Sequence, residues 1–162
     1  MDPIAISAAT RADVPTILTF IRGLARYEKL EREVVATEEK LRDTLFGSRP
    51  AAEVLLARLG HEPVGFALFF HNYSTFLAQP GLYLEDLFVL PAARGRGVGR
   101  ELLRSLAALA VRRACGRLEW SVLDWNEPAI RFYEKLGARP MSDWTTFRVT
   151  GDALGALART TD

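Results

Sequence analysis

Val89-Leu90-Pro91-Ala92-Ala93-Arg94-Gly95-Arg96-Gly97-Val98-Gly99-Arg100-Glu101-Leu102-Leu103 joins the end of an apolar strand to the start of an amphipathic helix through a turn rich in glycine and arginine. A helix N-terminus carries unpaired backbone N–H groups and about half a positive charge, and glycines let an anion approach that backbone closely. The stretch therefore reads as an anion cradle for a pyrophosphate at a strand-to-helix junction.

Two common phosphate loops do not fit it. A Walker loop requires Gly-Lys-Ser/Thr after its glycines, and no lysine follows here. A dinucleotide fingerprint requires a third glycine three residues after Gly97, where Arg100 stands. The pattern that remains is Arg94-x-x-Gly97-x-Gly99, with a plain glycine-rich helix cap as the other reading.

Working outward, Leu82 to Leu90 reads as the central strand that feeds the loop. The helix after it buries Leu102, Leu103, Leu106, Ala107, Ala110 and Val111 and stops at Gly116. Upstream, Pro3 to Ala8 reads as a strand. Thr10 and Asp13 form a T-x-x-D start for a helix reaching Tyr27 or Glu28. A second helix starts from Thr37 and stops at Gly47. Ala51 to Arg58 and Val64 to His71 read as a hairpin, and Asn72 to Gly81 as a mobile loop. Downstream, Leu118 to Leu123 is expected as a strand and Asn126 to Leu136 as a helix closed by Gly137. Trp144 to Val149 is expected as a strand, with a short helix from Asp152. The interleaving gives an α/β fold, a central mixed β-sheet flanked by helices on both faces.

The 162 residues are expected to form a single domain, 1–162. Apolar residues make up 49% with no 18-residue apolar run, so no membrane span is expected. A net charge of +1 gives no basic excess for nucleic acid. Met1-Asp2-Pro3-Ile4-Ala5 lacks the form of a secretory signal, which makes cytoplasmic residence the expectation. Cys115, the one cysteine, is expected to be a buried side chain rather than a nucleophile. His61 and His71 have no metal-ligand company, so no metal is expected.

Glu85 and Asp86 are adjacent on the central strand, and strand alternation sends them to opposite faces. Each needs a partner or a cavity to offset desolvation. Asn126-Glu127-Pro128-Ala129-Ile130-Arg131-Phe132-Tyr133 opens with an N-cap residue and a first-turn proline, which places Asn126, Ile130 and Tyr133 near one helix face.

Taken together, the acid-bearing strand, the glycine loop and Asn126 to Gly137 resemble the GNAT N-acetyltransferase superfamily from Ile4 to about Val149. Leu24-Ala25-Arg26-Tyr27-Glu28, Tyr83-Leu84-Glu85-Asp86-Leu87-Phe88-Val89 and Trp125-Asn126-Glu127-Pro128 are similar to its diamine and thialysine acetyltransferase branch. The resemblance implies acetyl-CoA lying between two splayed parallel strands, Leu82 to Leu90 and Leu118 to Leu123. It assigns the backbone of Leu87, Phe88 and Val89 to the pantetheine and thioester. Arg94, Gly95, Arg96, Gly97, Val98, Gly99 and Arg100 would hold the pyrophosphate, while Asn126, Glu127, Pro128 and Ala129 would contact the cofactor arm.

The same resemblance makes Tyr133 the general acid toward the departing sulfur; a tyrosine hydroxyl, with a reference pKa of about 10, is protonated at neutral pH. Glu85 becomes the base, directly or through an ordered water, or else an attraction for the ammonium. Tyr27, Glu28, Glu85, Glu119, Trp120 and Ser121 would face a small-molecule amine. The branch carries an acidic residue before the central strand, where this chain has Tyr73-Ser74-Thr75-Phe76-Leu77-Ala78-Gln79-Pro80-Gly81. The expected substrate is therefore a thialysine- or lysine-like amine or a diamine, ahead of spermidine or spermine. A homodimer is implied by the resemblance, and a catalytically silent acyl-CoA-binding module is the alternative class.

Overall fold

A computed structural model describes residues 2–159. Met1 and residues 160–162, which the single-domain expectation includes, lie outside the described residues. The chain divides into two compact units at Leu123/Asp124.

The first unit is a five-stranded sheet in the order β1-β2-β3-β4-β5: Ile4–Ala8, Glu53–Leu59, Glu62–Ser74, Gln79–Val89 and Leu118–Trp120. The first four pair antiparallel, and β4 and β5 pair parallel. Three helices accompany it: α1 (Val14–Tyr27), α2 (Glu38–Phe46) and α3 (Val98–Arg112).

Alternation along the strands divides the core between two faces. Val54, Leu56, Phe66 and Phe88 join Val14, Ile17, Phe20 and Leu41 of α1 and α2 in one buried cluster. The Phe20 ring lies 5.8 Å from Phe66 and 6.0 Å from Phe88, tilted in both cases. At Gly23 α1 comes close to the sheet, since a Cβ there would stand 2.7 Å from the Phe88 ring. Val89, the next residue, turns to the opposite face, where its methyl approaches Gly99 of α3. The helix end on that face is tied down by Arg113, which donates both terminal nitrogens to the Glu53 carboxylate at 2.6 and 2.9 Å and lies over Phe69.

Local signals set several boundaries. The Asp13 carboxylate accepts from the Thr10 backbone N–H at 2.7 Å, and the Thr37 hydroxyl accepts from the Lys40 N–H at 3.2 Å. The first belongs to a capping box and the second is a single N-cap bond, and each satisfies a backbone donor at a helix start.

Several expectations are corrected. Asn72 to Gly81 is no open loop: Asn72, Tyr73 and Ser74 pair with Gly81, Pro80 and Gln79, and only a tight turn over 75–78 remains. Pro80 is tolerated because its carbonyl is what the sheet uses, accepting from the Gly116 N–H at 2.8 Å. Gly116 does not end α3. Ala114 takes the left-handed position at φ 55°, while Ala114 and Cys115 donate back to Val111 and Ala110, a Schellman closure. Gly116 instead packs closely against side-chain ends, since a Cβ there would stand 2.7 Å from Leu77 Cδ1 and 2.8 Å from Gln79 Oε1. Pairing of the strand expected over Leu118 to Leu123 stops at Trp120. Cys115 is half-buried rather than buried.

The second unit holds α4 (Glu127–Lys135) and α5 (Gly151–Arg159). Trp144 to Val149, expected as a strand, has no ladder partner among the described residues, and Phe147 is 93% exposed. Its β-branched and aromatic composition favours a strand only where another strand supplies the hydrogen bonds. No described helix is long and apolar enough to cross a membrane.

Candidate active site

The central strand carries an irregularity that alternation could not reveal. Leu68 pairs with Asp86, but its neighbour Phe69 pairs with Leu84, so Glu85 is an extra residue in a β-bulge. Asp86 thereby comes onto the face of Leu68, which packs against the α1–α2 cluster. The strict alternation expected for Glu85 and Asp86 is broken at this point.

The end of α1 adds a third carboxylate. Lys29 adopts the left-handed φ of 62°; Lys29 and Leu30 donate to the carbonyls of Arg26 and Ala25, which holds Glu28 as the helix C-cap. Burial raises the Glu28 pKa. Asp86 is pushed up to about 6, first by burial, then by the negative charges of Glu85 and Glu28. Glu28, Glu85 and Asp86 thus share one electrostatic neighbourhood that favours a bound cation. Asp86 is the member that the sequence reading left out of the site. Its signal was a second acid on a largely apolar strand, legible only as a desolvation problem without a partner.

Beyond Leu84 the other edge of β4 is open. Its parallel ladder with β5 consists of Leu82 with Leu118, Tyr83 with Glu119 and Leu84 with Trp120. Leu87, Phe88 and Val89 therefore continue past the end of β5, paired only with β3 among the described residues.

At the end of that edge the glycine-rich turn takes up backbone conformations that side chains disfavour. Gly95 has φ 75° and Gly97, the N-cap of α3, has φ 86°. No atom lies within 4 Å of where a Cβ on Gly95 would stand, so the concavity is open. The 15-residue α3 presents the N–H groups of its first turn directly after a turn that carries Arg94 and Arg96, with Arg100 within that first turn. Among the described residues neither Arg96 nor Arg100 has an ion-pair partner, whereas Arg94 Nε donates to the Val89 carbonyl at 3.0 Å. The Arg94 guanidinium carbon lies 4.9 Å from the Tyr27 ring centre and 5.8 Å from that of Phe88. Open glycines, free helix-start donors and unpaired guanidiniums fit a diphosphate.

The residues read from β5 are already engaged. Glu119 pairs with Arg117 at 2.7 Å and accepts from Asn72 Nδ2 at 3.2 Å. The Ser121 hydroxyl is 2.8 Å from the Tyr83 hydroxyl, and Trp120 is the last paired residue. A cavity of about 550 Å³ between β1, β2 and α3, lined by Leu55, Phe69, Arg112 and Arg113, includes none of the sequence-read site residues.

In the second unit, the Asn126 carbonyl accepts from the Ile130 N–H at 3.1 Å and Pro128 occupies the first turn of α4. Glu127 pairs with Arg131 at 2.7 Å in solvent, and Ala129 is half-buried. Tyr133 stacks beside Phe132 with ring centres 5.6 Å apart. Its carbonyl accepts from Ala138 while Gly137, at φ 90°, bonds to Glu134, so the turn carrying Tyr133 is closed by a full Schellman motif.

With this geometry in view, comparison with known proteins is specific. Residues 21–138 match the acetyltransferase (GNAT) family. The thialysine N-epsilon-acetyltransferase of Sus scrofa is 37% identical over 169 residues, spanning 98% of this chain and 99% of that protein. The L-ornithine N5-acetyltransferase NATA1 of Arabidopsis thaliana is 36% identical over 197 residues, spanning 94% and 86%. Among solved structures, an integron cassette protein from V. cholerae superposes with a TM-score of 0.81 at 27% identity, covering 97% of this chain and 98% of that one. The open strand edge, the glycine-bent helix start and these matches lead to one assignment: this chain is a member of the GNAT acetyltransferase family.

Proposed function

We propose that the protein acetylates the terminal amine of a small amino acid or diamine of the thialysine, lysine or ornithine kind, by direct attack while amine and acetyl-CoA are both bound. The observation that carries this reading is the joint placement, within one unit, of an open β4 edge running into the glycine cradle and a carboxylate group at the β4 bulge. The named activities of the relatives support the amine class.

Acetyl-CoA, the co-substrate of GNAT acetyltransferases, supplies a thioester carbonyl activated toward an amine. Gly95 to Arg100 are the residues that would hold its diphosphate, and Leu87, Phe88 and Val89 the strand edge for its arm. Backbone N–H groups near Phe88 are the donors for the carbonyl oxygen, whose negative charge grows during attack. An amine near pKa 10.4 arrives protonated, so it needs both an attracting charge and a base. Glu28 and Asp86 attract it, and Glu85, on the bulge, takes its proton directly or through water. Asn126 to Ala129 and Tyr133 belong to this reading through the resemblance of their motif, with Tyr133 donating to the departing sulfur. Exposed Trp144 and Phe147 support a further element of the reading, a homodimer.

The deciding experiment measures CoA-thiol release with thialysine, lysine, ornithine, putrescine, spermidine and an aminoglycoside. The expected outcome is the highest kcat/KM for thialysine or ornithine. A preference for spermidine overturns the substrate class, and CoA binding without release from any amine supports the silent module instead.

A further inference from the structure

Resting on that reading, we infer that Arg94 is a positioning residue for the amine side of the site rather than a diphosphate ligand: it lies across Tyr27 and Phe88 while bonded to the Val89 carbonyl, and so fixes the ring next to Glu28. Three of the loop's cations were read alike from sequence, and the structure separates them. Arg96 and Arg100 project without ion-pair partners among the described residues. Arg94 has its Nε committed to Val89 at 3.0 Å and its planar head over two aromatic faces, at 4.9 and 5.8 Å. Its Nε and the face of its guanidinium are thereby engaged on the Tyr27 and Phe88 side of the loop.

The consequence falls on Tyr27. It is the last residue of α1, 39% exposed, and directly precedes the Glu28 C-cap. A guanidinium held on the face of this ring restricts its rotamers before an amine binds. Burial raises Glu28, and burial with neighbouring carboxylates raises Asp86, with Arg94 in this position. Arg94 in this position orders the wall of the amine site.

Arg94→Gln separates the contacts, because glutamine Nε2 stands where arginine Nε stands and keeps the Val89 bond while the guanidinium is lost. The expected result is an amine KM raised about fivefold with the acetyl-CoA KM changed less than about twofold, and no further amine effect when Arg94→Gln is added to Tyr27→Leu. Arg96→Ala, in contrast, raises the acetyl-CoA KM. Additive effects of Arg94→Gln and Tyr27→Leu overturn the inference, as does an acetyl-CoA KM that rises with the amine KM or instead of it. An amine KM that falls marks the guanidinium as a repelling charge and also overturns it. Calorimetric CoA binding keeps the test independent of turnover. If the wild-type protein acetylates no amine, the functional reading fails, and Arg94→Gln weakening CoA as much as Arg96→Ala separately ends the assignment of Arg94.

Discussion

Asp86 illustrates how a single side chain links stability to activity. Its folded-state pKa of about 6 lies above the ordinary 3.8, so the folded protein holds that proton more tightly than the unfolded chain does. Ionisation of Asp86 therefore opposes folding. The penalty is absent below the unfolded pKa, grows between 3.8 and about 6, and is complete above that. Asp86→Asn is expected to stabilise the protein at pH 7.5 on the order of 2 kcal/mol, raising Tm by roughly 4–8 °C, with the gain vanishing near pH 4. An equal gain at both pH values would show that charge is not its source. The wild-type amine KM should also rise as pH falls through about 6, a dependence that Asp86→Asn removes. Tyr133→Phe belongs to the same scale: kcat should fall about 10²–10⁴-fold with CoA affinity near normal. Near wild-type turnover would remove Tyr133 from the acid role. Tyr133 and Glu85 enter the reading through the resemblance of their motifs, whereas Asp86 does not, because its position depends on a bulge set by pairing with β3.

The helix ends and the β4 bulge decide what the elements do. Gly97 sits at φ 86°, where a side chain adds about 1–2 kcal/mol of strain, so Gly97→Ala should lower stability by that amount and raise the acetyl-CoA KM about tenfold. An unchanged KM would detach the loop from the diphosphate. Ala114 has the opposite mismatch, a Cβ in the left-handed position that closes α3. Ala114→Gly is expected to stabilise by about 1 kcal/mol with kinetics unchanged, as measured by urea denaturation. Gly47 and Gly137 were readable as stops because each directly follows a periodic segment. Gly116 was misread because a glycine after a helix has two possible uses, and packing against Leu77 and Gln79 took this one. The Asn72 to Gly81 segment was misread because polar residues and a proline resemble a loop unless the facing strand is known.

For the whole molecule, the functional reading predicts a ligand-dependent stability and a defined assembly. CoA at about 100 times its Kd should add about 2.7 kcal/mol to unfolding, seen as a Tm increase that Arg96→Ala diminishes. Light scattering should give twice the chain mass of 18.0 kDa, and a monomer at micromolar concentration would end the dimer proposal. The sequence by itself determined the order of strands and helices from Ile4 to Lys135, the glycine-rich bend that opens α3 and the family, because periodicity, caps and loop spacing are local properties that a linear chain displays. Tertiary structure alone decided that β4 outruns its parallel partner after Leu84, that Glu28 and Glu85 act on Asp86, and that Arg94 lies over Tyr27 and Phe88 while bonded to the Val89 carbonyl. Each of these depends on pairing register or on contacts between residues far apart in the chain, and neither is encoded in the spacing of nearby side chains.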